Sequence, residues 1–169
     1  MRNKSLLYFF CVSFLFLACT NNTEQVAAPA KMKPIDMQAE KQAILKTLND
    51  ETAAAFRRDY DAWQSKWVHS PTMTKVYEDL AGDESSTSTG WEEISQFVKD
   101  FFVAHPEPEP IPELLSEIDV RLEGNRAEVI YEQQDSLRGR KQETRMMEKV
   151  DGEWKIAGMK TTIYGFEED

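Results

Sequence analysis

The sequence predicts an α+β domain, with helices gathered in its first half and antiparallel strands in its second. Three observations carry that reading. Between residues 37 and 104, apolar side chains recur at helical spacing, as in Ile94, Phe97, Val98, Phe101 and Phe102. From about 116 onward they alternate instead, first Ile118, Val120 and Leu122, then Ala127, Val129 and Tyr131. Asp151-Gly152, in "VDGE", is a strong hairpin turn between two later strand-like runs.

The elements follow in order. A long first helix is expected over about Met37 to Arg58, with Ile44, Leu48, Ala55 and Phe56 on its apolar stripe beside Leu45 and Thr52. "RDYD" breaks it. Asp61 with Gln64 three residues later fits an N-cap and capping box for a short second helix, which carries Tyr60, Trp63 and Trp67 on one side. "SPTMTKVY" (70–77) reads as a strand and "AGDESSTST" (81–89) as a loop. Thr89 and Glu92 in "TGWE" suit a second capping box, opening a third helix that stops near Ala104 because His105 precedes Pro106. "PEPEPIP" (106–112) is expected to be an extended, stiff connector, the other reading being a proline-rich ligand for a partner domain. Three or four long antiparallel strands complete the chain.

The N-terminus lies outside this pattern. Arg2 and Lys4 precede the apolar run "LLYFFCVSFLFLA", too short for a comfortable membrane span and suited to a signal peptide. "FLAC" resembles a bacterial lipobox, although Phe16 stands where leucine is usual. The division expected is therefore a lipoprotein signal peptide at 1–18, lipidated Cys19 with a flexible tether at 19–36, and a folded domain at 37–169. An ordinary signal peptide cut nearby, or an uncleaved anchor, is the alternative. Cys11 falls inside the apolar run, so an exported chain keeps Cys19 alone and forms no internal disulfide. Acyl chains on Cys19 hold a protein on a bilayer by themselves, at about 0.8 kcal/mol per buried CH₂. The expected address is the cell envelope, at the outer membrane.

The chain carries 30 acidic against 20 basic residues, a net charge of −10. That charge repels nucleic acid and anionic lipid, and "RGRK" (138–141) is too short to offset it. Two histidines and a lipidated Cys19 do not make a zinc site of the usual type. Phosphate-binding, dinucleotide and nucleophile-elbow motifs are missing, so no metal or cofactor is expected.

"DYDAW" in the second helix, "GWEEI" in the third and "VDGEWKI" in the closing strands stand in a characteristic order. In that order they resemble the NTF2-like superfamily, nearest to SnoaL-like domains and small secreted lipoproteins of Bacteroidota. The resemblance spans about 37–166. It implies a cone in which a curved antiparallel sheet wraps three N-terminal helices, with a pocket at the wide end and a sheet face through which many relatives dimerise. Function does not follow from such a fold. Catalytic relatives hold a carboxylate or histidine in an apolar pocket, and many SnoaL-like chains carry histidines in the last strand. Here that stretch reads "WKIAGMKTT", with Gly158 and Lys160 instead.

His69 is the candidate acid or base, and requires an enclosed position and a polar partner. Its alternative is an inert capping or surface histidine, and His105 is expected to be exposed. Trp63, Trp67, Tyr77, Trp91, Phe97, Phe101, Tyr131 and Tyr164 are candidates to line an aromatic pocket, or else to fill the core. Arg145, if turned inward, would hold a ligand carboxylate in a two-pronged grip; if turned outward it is an ordinary solvated strand charge. Asp50 and Glu51 are expected on a wet helix face, with the cone's mouth as the other reading for Asp50. The function expected is binding of a small apolar or aromatic ligand, or of a partner protein. A homodimer through the sheet is also expected. The alternatives are a SnoaL-like isomerase, cyclase or hydratase using His69, and a structural envelope component with a filled cone.

Overall fold

The computed structural model describes residues 36–135 and 138–166. The signal-peptide and lipidation expectations, Cys19 included, and the tether up to residue 35 lie outside these residues, while Asp36 caps the first helix. Three helices, α1 (Met37–Phe56), α2 (Tyr60–Gln64) and α3 (Trp91–Ala104), accompany six strands. The strands are β1 (Thr74–Asp79), β2 (Glu84–Thr89), β3 (Asp119–Glu123), β4 (Arg126–Asp135), β5 (Gly139–Val150) and β6 (Glu153–Gly165). They form one sheet in the order β2-β1-β6-β5-β4-β3. β3 to β6 are the expected antiparallel meander, but β1 runs parallel to β6, so the sheet is mixed. Among the described residues no helix is long and apolar enough to cross a membrane.

α1 buries Ile44, Leu45, Leu48, Glu51 and Ala54, and Asp36 caps it by accepting from the Ala39 amide at 3.1 Å. The helix ends at Phe56, before the expected Arg58, whose φ of 62° turns the chain. The Arg58 guanidinium donates to the carbonyls of His105 and Ala55 and pairs with Glu109. It thereby ties the end of α3 and the proline-rich connector to α1.

Both expected capping boxes are displaced. Asp59, not Asp61, caps α2, accepting from the Ala62 amide at 3.0 Å, while Asp61 accepts from the Gln64 side chain. α3 opens after Gly90 at φ 86°, a conformation that excludes Thr89-type capping and favours glycine. A Cβ on Gly90 would also come 3.2 Å from the Pro71 carbonyl oxygen. The reach back to the Thr89 amide is made by Glu93 instead of Glu92. Thr89 is unavailable because it ends β2, a strand inside the stretch expected to be a loop. Exposed Ser and Thr carry little strand signal; pairing with β1 makes this one. At Asp151-Gly152 the expected hairpin turn is present, both residues having positive φ.

Glu40 fastens the start of α1 to the β5–β6 hairpin. Its carboxylate takes both oxygens to the Lys149 ammonium at 2.7 Å and accepts from the Trp154 indole at 2.6 Å. Those hydrogen bonds, Lys149 first, hold its carboxyl below the ordinary value of 4.5. A lowered folded-state pKa means that the stabilisation is complete above about pH 4.5 and is lost as pH falls through the folded value. Glu40→Gln is therefore expected to be less stable than the unmodified chain at pH 7. Paired urea titrations should show that gap closing as the pH is lowered below 4.5. A gap independent of pH would assign the loss to packing.

Candidate functional site on the inner face of the sheet

Partners across a sheet share a face, so register defines the site. One row runs Tyr131, Glu143, Thr161, Tyr77; the next runs Val129, Arg145, Met159, Lys75. Val129 at 0 % exposure and buried Tyr131 mark this face as the inner one. Two of its charges, Glu143 and Arg145, are as buried as the core around them.

Arg145 organises the centre. Its Nε donates to the Tyr131 hydroxyl at 3.2 Å, its Nη1 to the Met159 sulfur at 3.3 Å, and its Nη2 lies 3.5 Å from Glu143 Oε2. The same Glu143 oxygen accepts from Thr161 at 2.8 Å, and Lys141 stands 3.6 Å from the other. Burial pulls the guanidinium toward its neutral form, but Tyr131, Glu143 and Glu51 outweigh it and push its pKa up. Burial also raises the Tyr131 phenol against the pull of Arg145, so the hydroxyl stays protonated. The guanidinium is thus committed to protein partners, and the expected grip on a ligand carboxylate is not free to form.

From the helices comes Glu51. One of its oxygens, Oε1, accepts from the indoles of Trp63 at 2.8 Å and Trp67 at 3.3 Å. Trp63 and Trp67 pack tilted at 5.4 Å, and both are core residues that bound the inner space. Trp63 stacks on Trp91 at 5.6 Å, and Trp91 stacks on His69 at 3.9 Å. This stack carries the aromatic stretch outward, so His69 is exposed, its Nε2 3.0 Å from the Gln64 carbonyl. It faces no enclosed space, which is what an acid or base at this position would need.

Lys75 stands at the edge of the site, half-buried on β1 with its ammonium 4.5 Å from the centre of the Phe97 ring. Burial lowers its pKa, Arg145 lowers it further, and Glu51 and Glu143 pull the other way. The remaining candidates separate. Tyr77 is half-buried and accepts from Arg138 at 2.8 Å. Phe97 is 56 % exposed beside Lys75, whereas Phe101, also exposed, packs toward Arg58 and His105 and lines no part of the site. Tyr164 alternates with buried Ile163 and so lies on the outer face, under Arg140. Asp50 is bound by Lys46 at 2.7 Å and Lys66 at 2.9 Å. Among the described residues no group of three or more His, Cys, Asp or Glu is placed to hold a metal ion.

Two open depressions lie elsewhere. One of about 470 Å³ is lined by Arg121, Glu128 and Met146 on the outer sheet face, and one of about 720 Å³ runs beside α3 between Tyr60, Lys99 and Phe102. Both mix charge with scattered apolar contacts. Neither gathers buried polar groups as the inner face does.

Glu51, expected on a wet helix face, is instead buried under the Trp63 and Trp67 indoles, and Lys75 and Glu143 were not among the sequence candidates. Glu51 interrupts the apolar stripe three residues after Leu48, a legible signal. Glu143 and Lys75 stand two residues from Arg145 and Tyr77 and share their face, which becomes visible only once the facing of their strands is known.

No protein-family model matches the chain, and no curated protein matches it either. Solved structures do. A candidate dehydratase of the NTF2-like family from Streptomyces avermitilis superposes with a TM-score of 0.60 at 14% identity, over 75% of this chain and 96% of that one. A cystatin-like fold protein from Burkholderia xenovorans gives 0.58 at 17%, over 78% and 96%. An NTF2-like protein of unknown function from Shewanella oneidensis gives 0.53 at 18%, over 73% and 98%. The chain has the NTF2-like fold: helices followed by a curved, unclosed mixed sheet of six strands.

Proposed function

We propose that this chain is a lipid-anchored envelope protein whose NTF2-like domain binds a small, partly apolar ligand on the inner face of its sheet, without catalysis. One observation carries the reading: Glu51, Lys75, Glu143 and Arg145 are drawn together among Trp67, Tyr131 and Met159. Buried ion pairs are replaceable by packed apolar residues at little or no loss of stability, so stability alone does not explain four ionisable groups there. Clustered, desolvated charges beside aromatic walls are what orienting a ligand requires. An enzyme built on His69 is disfavoured by that residue's exposure.

A ligand at one hundred times its Kd stabilises the folded state by about 2.7 kcal/mol. Screening small amphipathic compounds against the purified protein should therefore find some that raise Tm by several degrees. If none of a broad panel does, the ligand reading fails and a filled structural cone takes its place. Anchoring is tested separately: Cys19→Ser should move the protein from the membrane pellet to the soluble fraction. The outer sheet face, where Ile130 and Met146 are 41 % and 47 % exposed, is the surface through which a second copy would pair.

A further inference from the structure

Resting on the ligand reading above, the geometry points to a specific ligand class: a small carboxylate whose anionic head pairs with Lys75 and whose apolar body lies against Phe97. Charge bookkeeping on the inner face leads there. Arg145 is taken up by Tyr131, Met159 and Glu143. Glu143 is taken up by Arg145, Thr161 and Lys141. Glu51 is held by two indoles. Lys75 alone of these groups has neither a hydrogen bond nor an ion pair among the described residues; its sole neighbour of note is the Phe97 face.

The ammonium is half-buried, and charged or aromatic groups on three elements surround it. Arg145 on β5 repels it, Glu143 on β5 and Glu51 on α1 attract it without touching it, and Phe97 on α3 lies beneath it. A desolvated cation without a partner is an unfavourable arrangement that an incoming anion reverses. Register sets Lys75 in the same row as Arg145, with Met159 between them, so a second cation stands along the row. Phe97, 56 % exposed although aromatic, offers an apolar platform at the same spot. An ammonium is a point charge without the fork of arginine, so it suits a single carboxylate and sets few limits on the body attached to it.

The test uses the full-length protein in detergent, its lysines reductively methylated with ¹³C-formaldehyde and followed by NMR. Phenylacetate is titrated against phenylacetamide, a neutral molecule of the same shape. A charge-assisted contact in place of a neutral one should make phenylacetate bind about tenfold tighter. Its binding should raise the pH at which the Lys75 signal titrates. Lys75→Met should bind both compounds equally, and its ligand-free Tm should equal or exceed that of the unmodified chain, which separates lost binding from lost folding. Equal binding of the two compounds by the unmodified chain overturns the carboxylate assignment but leaves the ligand reading standing. A preference that survives Lys75→Met overturns the role of Lys75 and moves the anion to another cation. Binding of neither compound overturns the assignment, and if the wider panel is silent too, the ligand reading falls with it.

Discussion

Arg145→Leu is expected to lower the stability of the folded domain by about 3–5 kcal/mol, because it leaves a buried charge without its partner. The leucine itself fits a core position between Val129 and Met159. What destabilises is Glu143, left at 4 % exposure with the Thr161 hydroxyl and a Lys141 ammonium 3.6 Å away as its remaining partners among the described residues. The Tyr131 hydroxyl loses its donor as well. Removing both charges in Arg145→Leu/Glu143→Leu should recover most of that loss, since no orphan charge remains. Urea denaturation of the two single variants and the double variant measures the coupling directly. A loss near 1 kcal/mol, the ordinary worth of a surface ion pair, would mean that water reaches Glu143 in the folded state.

Glu51→Leu is the second large effect, expected at about 2–4 kcal/mol from two buried indole N–H groups left without an acceptor. Its position on α1 decides this. Glu51 is 7 % exposed, within the stripe that Ile44, Leu48 and Ala54 bury, so no water replaces the lost oxygen easily. Glu51→Gln keeps one carbonyl acceptor of the same reach and should cost about 1 kcal/mol. An equal loss for the two substitutions, in the same denaturation experiment, would show that the negative charge matters and the hydrogen bonds do not. That outcome would tie Glu51 to Arg145 and Lys75 through the field of the site.

What was legible in the sequence, and what was not, divides along physical lines. α1, α3 and the Asp151-Gly152 hairpin were readable because periodicity and turn chemistry are local properties. β2 was not, since Ser85, Ser86 and Thr87 become a strand only through pairing with Glu78, Tyr77 and Val76. Thr89 as a helix cap failed for the same reason: a residue already committed to β2 cannot also cap α3. The parallel pairing of β1 with β6 joins residues more than eighty positions apart, and no local pattern reports it.

The site follows the same division. Trp63, Trp67, Tyr131 and Arg145 stand out in the sequence as aromatics and a strand arginine, and all four are buried. Tyr164 was misplaced by a single step of strand alternation, which puts it on the outer face. Phe101 lies on the expected helix, but on the part of it that packs toward Arg58. His69 drew attention for its chemistry, yet Trp91 stacks it outward. Glu143 and Lys75 are ordinary charges by sequence, and only the register with Arg145 and Met159 brings them inward.

The central claim is that ligands enter the inner face among the buried charges. The most direct measurement is the position of the tryptophan indole N–H signals as phenylacetate is added to the protein. Trp63 and Trp67 donate to Glu51 inside the site, whereas Trp154 donates to Glu40 in the first turn of α1 and serves as an internal control. Saturable shifts of the Trp63 and Trp67 signals, with Trp154 unmoved, are the expected result. Movement of Trp154 alone, or binding that leaves Trp63 and Trp67 where they were, would contradict the claim and place the ligand on the outside of the fold.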